Sequence, residues 1–282
     1  MDVQWLKEQL KKIEAISDQQ WLDGLSDRKI KELEFHDKDR DPSRIESLDQ
    51  DTYERFYGNR KYYQGTRLSK EYVDDWIVKN CKDRVFLDYA CGNGSNAIKA
   101  AQAGAKLAIG LDISRVSVEN AKAEAKRLGL EDNTYFVQAD AENTKLPNDA
   151  IDSVICSGML HHLDLSYAFP ELRRILRPGG KILAVEALDY NPLIKLYRYL
   201  TPQMRTDWEK AHILSLKDIR FAERFFEVGE VKYWHITSIL ATYMIFAFKF
   251  LNWLDRCLTR VPFVRLMSWI FTFELIKPLE EK

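Results

Sequence analysis

Between residues 84 and 187, five short apolar runs, VFLDY, LAIGLD, TYFVQAD, IDSVICSG and KILAVEA, alternate with stretches of helical spacing. Each run is rich in Val, Ile and Leu and apolar at nearly every position, the pattern of a strand buried on both faces. Such strands pair in parallel through right-handed crossover helices, so the alternation points to a doubly wound α/β sheet. The helix after LAIGLD is well bounded. Ser114 can cap its start, Val118, Ala121, Ala125 and Leu128 share one face, and Gly129 can end it.

The flanks read differently. Leu6, Leu10 and Ile13 form one helical stripe, and Ser17 with Gln20 resembles a capping box. HDKDRDPSRIESLDQD, with Asp41 before Pro42, reads as a loop or mobile connection. Helical periodicity returns around Tyr72, Trp76 and Ile77. At the other end SWIFTFELIKP has the period-two pattern and length of a strand, and FFEVGEVKYW would be the strand before it. The expected organisation is an N-terminal helical lid region (1–80), a seven-stranded, mostly parallel Rossmann-like core (81–234), a helical insertion (235–267) and a final strand of the core (268–282).

Composition narrows the function classes. With 282 residues, 46% hydrophobic and 30% charged, the chain buries a full core. A formal net charge of −1 gives no global basic footprint, so no nucleic-acid partner is expected. Cys81, Cys91, Cys156 and Cys257 show neither paired metal-ligand spacing nor a disulfide framework, so the expectation is no metal and a reducing cytoplasm. The first residues, MDVQWLKEQLKKIEAI, lack the apolar run of a signal peptide.

Ligands of open parallel sheets bind beyond the carboxyl ends of the strands. There the first strand ends in DYACGNGSN, where Gly92 and Gly94 let the backbone turn sharply and approach a ligand. Asp112 ends the second strand, about twenty residues past Gly92, the distance at which an acidic group can accept both hydroxyls of a ribose. Asp140 and Ala141 end the third strand, and CSGMLHHLDL follows the fourth. Each Asp has an ordinary alternative as a helix cap or turn residue.

The order LDYACGNGSN, GLDIS, FVQADAENTKLP, IDSVICSGMLHHLDL and LRRILRPGGKILAVEAL resembles the class I S-adenosylmethionine-dependent methyltransferases, specifically the small-molecule group that includes quinone and lipid methyltransferases. The resemblance covers roughly residues 84–190. A dinucleotide dehydrogenase would place a third glycine where Ala97 stands, and its diphosphate is ill suited to Asp88 nearby. The resemblance implies S-adenosylmethionine as methyl donor and S-adenosylhomocysteine as product. It implies that Asp88 and the carbonyls around Ala90 hold the donor's methionine end, and that Asp112 takes the ribose with Ile113 against the adenine. Asp140 would accept from the adenine amino group while the Ala141 amide donates back, and Cys156 and Ser157 would line the sulfonium.

Methyl transfer to a hydroxyl or protonated amine also requires loss of a proton. His161 and His162 stand on the loop facing the methyl group; one of them, His161 by preference, is a candidate base or acceptor partner, or the pair caps a helix or packs beneath the donor. Beyond the fifth strand Glu186, Asp189, Tyr190, Lys195, Arg198 and Arg205 come near the same edge. Asn191 and Pro192 open a short helix, whose Lys195 and Arg198 either bind an acidic headgroup or form a solvated face. Tyr62 and Tyr63 are candidates for part of the lid.

YWHITSILATYMIFAFKF, from residue 233, is too short in its charge-free run to cross a bilayer and falls between paired strands. With Pro262 breaking it, the insertion is expected to be two cationic, aromatic helices, meeting lipid at the inner face of a membrane, the chain's own helices, a second subunit, or the substrate. The expected function is methyl transfer to a small amphiphilic or lipid-like acceptor. The alternatives are a non-catalytic donor-binding or scaffold protein, and a protein or nucleic-acid methyltransferase.

Overall fold

The computed structural model describes residues 2–279, so Met1 and the last three residues of the 268–282 segment lie outside the described residues. Seven strands form one sheet: β1 (Val85–Tyr89), β2 (Leu107–Asp112), β3 (Thr134–Gln138), β4 (Ile151–Ser157), β5 (Leu176–Ala187), β6 (Glu227–Trp234) and β7 (Ile270–Ile276). Their order is β3-β2-β1-β4-β5-β7-β6. The first five are parallel, and β7 runs antiparallel between β5 and β6. This is the mostly parallel Rossmann-like sheet that the alternating runs imply.

Strand alternation splits the core into two layers. Leu87, Tyr89, Ile109 and Leu111 face Leu6, Leu10, Phe169 and Phe273 on one side. Phe86 and Ala108 face Trp76, Ile77 and Ala97 on the other. Each fully buried Leu, Ile or Phe contributes roughly 1.5–3 kcal/mol from burial. Helix Arg67–Cys81 is pinned to the last strand by the Trp76 indole, which donates to Glu274 at 2.9 Å.

Two expectations are corrected. The polar stretch read as a loop is helical: Asp27–Arg40 is one helix, and Asp41 caps the next, Pro42–Glu46, by accepting from the Ser43 and Arg44 amides. Aspartate before proline marks a helix start here, because Pro42 occupies the first helical turn, where a missing N–H costs nothing. The insertion is not a helix pair. It holds one α-helix, Phe248–Leu258, flanked by single 3-10 turns at Ser238–Thr242, Ile245–Ala247 and Val264–Met267. The cause is visible at Asp255, whose buried carboxylate accepts from the Thr237 and Ser238 amides at 2.6 and 3.1 Å and folds the preceding segment back on the helix.

Candidate functional site

The sheet reverses its strand order between β1 and β4, so a crevice opens beyond their carboxyl ends. The loop after β1 turns through three left-handed residues, Ala90 (φ 55°), Gly92 (φ 51°) and Gly94 (φ 78°). A Cβ on Gly94 would lie 2.6 Å from the Phe136 ring and 2.7 Å from Ala121, so only glycine fits between loop and sheet. The helix that follows, Ser95–Gln102, takes a buried cap: Asp88 accepts from the Ala97 amide at 3.1 Å and from Asn96 Nδ2 at 3.3 Å. Burial nevertheless pushes the Asp88 carboxyl up to about 7.

Asp112 accepts from the Gly92 amide and the Ser114 amide, each at 2.8 Å. Each carboxylate oxygen keeps a second lone pair, so the donor set fits a ribose diol beside a glycine-lined loop. Ile113 is half-buried, and its carbonyl accepts from Gln138. Asp140 accepts from the Glu142 amide at 2.9 Å, and the buried Ala141 carbonyl accepts from the Tyr89 hydroxyl. Strand alternation corrects one expectation: Cys156 is fully buried in the core beneath the site, while Ser157, named with it, lines the crevice together with Gly158.

Helix Asp27–Arg40 lies across the β1–β3 half of this edge. Lys29 pairs with Asp140 at 2.6 Å and with Glu142 at 2.9 Å; Arg28 pairs with Glu142 at 2.5 Å and donates to the His162 carbonyl. Asp37 accepts from the Ser114 hydroxyl at 2.6 Å, and the Arg40 guanidinium lies over Gly92. Burial works against the Lys29 ammonium, but the two carboxylates outweigh it and hold its pKa above the usual lysine range.

The β4–β5 half is open. A cavity of about 630 Å³ reaches from Ser95 and Asn96 past Ser157, Gly158 and both histidines to Trp269. At Tyr63, His161, Ala187 and Trp269 it meets a second chamber of about 410 Å³. That chamber is walled by Leu193, Ile194, Ile236, Ile239 and Leu240, with Tyr62, Tyr197 and Tyr243 at one side. Tyr62 and Tyr243 share a hydroxyl contact of 2.8 Å, and Tyr63 packs against Trp269 with ring centroids 4.9 Å apart and planes tilted by 56°. The pair named as lid candidates thus forms chamber wall.

His161 is oriented from below. Its Nδ1 lies 2.6 Å from a Glu186 oxygen, while the other Glu186 oxygen accepts from the Met159 and Leu160 amides at 2.8 and 2.7 Å. Nδ1 therefore carries the proton, which leaves Nε2 as an acceptor at the cavity wall. Burial disfavours the charged ring, but the Glu186 carboxylate outweighs it and raises the His161 pKa. His162 turns the other way, its Nδ1 2.9 Å from Glu32 of the lid helix.

Glu32, His36 and Glu209 belong to this cluster and were missed in the sequence. Glu32 and His36, four apart on a polar helix, look like a solvated face; only the buried side of that helix, with Glu32 4% exposed, betrays them. Glu209 follows Thr206 in a helix of five residues, too short to be marked by periodicity. Lys195 is half exposed and paired with Asp189, as a solvated face requires. Arg198 is not: it lines the chamber, and its buried Nη1 finds no hydrogen-bond partner among the described residues, with Asp189 at 3.6 Å. Arg205, also buried, donates to Thr201 and pairs with Glu209 at 3.3 Å.

Residues 87–184 match the family described as a methyltransferase domain. Among curated relatives, 27-O-demethylrifamycin SV methyltransferase of Amycolatopsis mediterranei is 36% identical over 97 residues, 34% of this chain and 36% of that one. Ribosomal protein L11 methyltransferase of Photobacterium profundum is 26% identical over 149 residues, 51% of this chain and 48% of that one. The alignments thus span about a third to a half of these relatives. Among solved structures, magnesium protoporphyrin IX methyltransferase from Synechocystis PCC 6803, with bound SAH, superposes with a TM-score of 0.58 at 20% identity, covering 88% of this chain and 99% of that one. The domain match places a methyltransferase domain at residues 87–184, and the strand order and the loops at the strand ends resemble those of the class I S-adenosylmethionine-dependent methyltransferases.

Proposed function

We propose that the protein transfers a methyl group from S-adenosylmethionine to a small amphiphilic acceptor seated in the apolar chamber. The observation that carries this reading is adjacency: the cavity that starts at Ser95 and Asn96, just past the glycine loop, meets at His161 a chamber lined by aliphatic and tyrosine side chains. Apolar walls with a few convergent polar groups are what recognises a small molecule. The donor supplies a methyl carbon already activated on a sulfonium. The chain's own work is alignment, exclusion of water and removal of the acceptor's proton.

In this reading Asp112 holds the ribose, Asp140 the adenine amino group, and the Asp88–Ala90 turn the methionine end. Ser157 and Gly158 face the reacting carbon. His161, aimed by Glu186, takes the acceptor's proton on Nε2. Arg198, with a buried donor left unsatisfied, hydrogen-bonds an oxygen of the acceptor's polar end, since such a group is costly until paired.

The same reading assigns a membrane surface to the exterior of the chamber. Ile245, Phe246, Phe250, Trp253 and Phe263 are 59–87% exposed on the insertion, and Leu193, Tyr199 and Leu200 are likewise exposed on helix Pro192–Leu200. Lys249, Arg256, Arg260 and Arg265 flank the insertion's apolar residues. An exposed apolar face rimmed by cations suits the headgroup boundary of an anionic bilayer, and no described helix is long and apolar enough to cross one.

Calorimetry with S-adenosylhomocysteine, followed by incubation with S-adenosylmethionine and a lipid extract, tests the reading. The expected outcome is micromolar binding, release of S-adenosylhomocysteine and a lipid product heavier by one methylene. Binding without release would make the protein a non-catalytic donor-binding module; absence of binding would end the proposal. Flotation with anionic vesicles tests the membrane assignment, which a protein left at the bottom of the gradient would refute.

A further inference from the structure

We propose that Glu32, His36 and His162 bind one divalent transition cation of the zinc class, joining the lid helix to the loop after β4. Glu32 and His36 stand four residues apart on helix Asp27–Arg40 and so share one face. His162 comes from the turn Leu160–His162, across the crevice from that face. The His162 Nδ1 lies 2.9 Å and the His36 Nε2 3.6 Å from the same Glu32 oxygen, and the three ligand atoms all lie within 4.8 Å of one another. Ligands about 2.0–2.1 Å from a tetrahedral ion stand about 3.3 Å apart, so the two shorter separations bracket the required spacing.

Two imidazoles and one carboxylate suit zinc, cobalt or nickel, whereas calcium and magnesium take oxygen ligands. Two of the chain's five histidines stand in this cluster. Access is present, because His36 and His162 both line the 630 Å³ cavity, which also leaves room for a further ligand. A second triad, His161, His162 and Glu209, shares His162. It is the poorer site, because Arg205 lies 3.3 Å from the Glu209 oxygen and competes for it. The ion therefore belongs on the lid side, where Arg28 already docks the helix on the His162 carbonyl at 2.9 Å.

Full-length protein, stripped with a chelator, is to be titrated with Zn²⁺ in a calorimeter and with Co²⁺ under visible absorption. The expected results are one ion per chain, a Co²⁺ d–d band of low-coordinate geometry and a rise in Tm with Zn²⁺. Glu32→Gln and His36→Ala should each weaken Zn²⁺ at least tenfold, whereas His212→Ala, which removes a ring stacked on Trp208 outside the triad, should not. Affinity for S-adenosylhomocysteine, measured on the same samples, reports the donor site separately: lost metal binding with intact donor binding counts against this proposal alone. A wild-type protein that takes up no Zn²⁺ and leaves Co²⁺ spectroscopically free, or a His36→Ala variant that binds as tightly, overturns the site. If the variants do not fold, X-ray absorption of the wild-type zinc complex decides, and fewer than two imidazole scatterers overturns it equally.

Discussion

The two halves of the sheet's carboxyl edge are built on opposite plans. Beyond β1–β3 the groups are few, acidic and in fixed register, and the lid helix is latched to them by Lys29, Arg28, Asp37 and Arg40. Beyond β4–β7 the wall is assembled from four distant segments around residues 62, 161, 198 and 240, and it encloses open volume. The first half suits a ligand of constant shape, the second a ligand that differs between relatives. Mutations in one half should therefore leave the reading of the other intact, and each of the following experiments tests that separation.

The largest effect is expected at His161. With the acceptor in hand, His161→Gln should lower kcat by about 10²–10⁴, the usual contribution of a positioned general base. Affinity for S-adenosylhomocysteine should stay within twofold, because the ring touches none of Asp88, Asp112 or Asp140. A kcat that survives would remove His161 from the chemistry and leave it as a packing residue above Glu186.

Asp112→Ala is the converse experiment. Hydrogen bonds to a charged group are worth about 1.5–3 kcal/mol each, so donor affinity should fall about 100-fold. Binding of a chamber probe such as decanoate, followed by tryptophan fluorescence, should not change. If both ligands weaken together, the halves are one cooperative site and the contrast drawn above fails.

The same contrast explains what was legible in the sequence. The sheet, the glycine turn and the positions of Asp112 and Asp140 at the strand ends were readable because a parallel strand and its following loop are contiguous in the chain. Cys156 was misassigned because alternation along β4 reverses at every residue, and one position decides between core and crevice. The chamber was not legible as a whole: Glu32 sits on a helix polar all round and Glu209 on one of five residues, while Tyr197 and Arg198 lie on a helix apolar on both faces, where Arg198 was readable only as one of two alternatives. The insertion was misread as two helices because its folded-back shape depends on Asp255 gripping the Thr237 and Ser238 amides, a contact no local pattern encodes.

Acid should loosen the chamber half first. His235 closes it from β6, fully buried, with Nδ1 and Nε2 each 2.8 Å from a serine hydroxyl, of Ser238 and Ser69. Burial depresses its pKa to about 4, and nearby Lys70 lowers it further although Asp255 opposes. The unfolded value lies near 6.5, so between 6.5 and 4 the unfolded chain binds the extra proton. Stability is intact above pH 6.5 and falls as pH drops, by at most about 1.4 kcal/mol per unit, or about 2 kcal/mol from pH 7 to 5. Hydrogen exchange at pH 5 should show residues 235–242 losing protection before β1–β3. His235→Asn should flatten the pH dependence, and equal acid sensitivity in the variant would assign it to other groups.

The smallest effect tests the latch. Lys29 holds an oxygen of Asp140 that the proposed adenine contact also uses, so the latch competes with the donor for that carboxylate. A ligand that binds only the unlatched fraction has its apparent affinity reduced by that fraction. Lys29→Ala should thus tighten S-adenosylhomocysteine by about fivefold, a size typical of one partly exposed ion pair. Salt discriminates the cause: raising ionic strength should tighten binding to the wild type by screening the latch, and should do so much less in the variant. Weaker binding in Lys29→Ala would instead make the lysine part of the donor's own cradle, and the lid helix would then be a wall of the site rather than a latch over it.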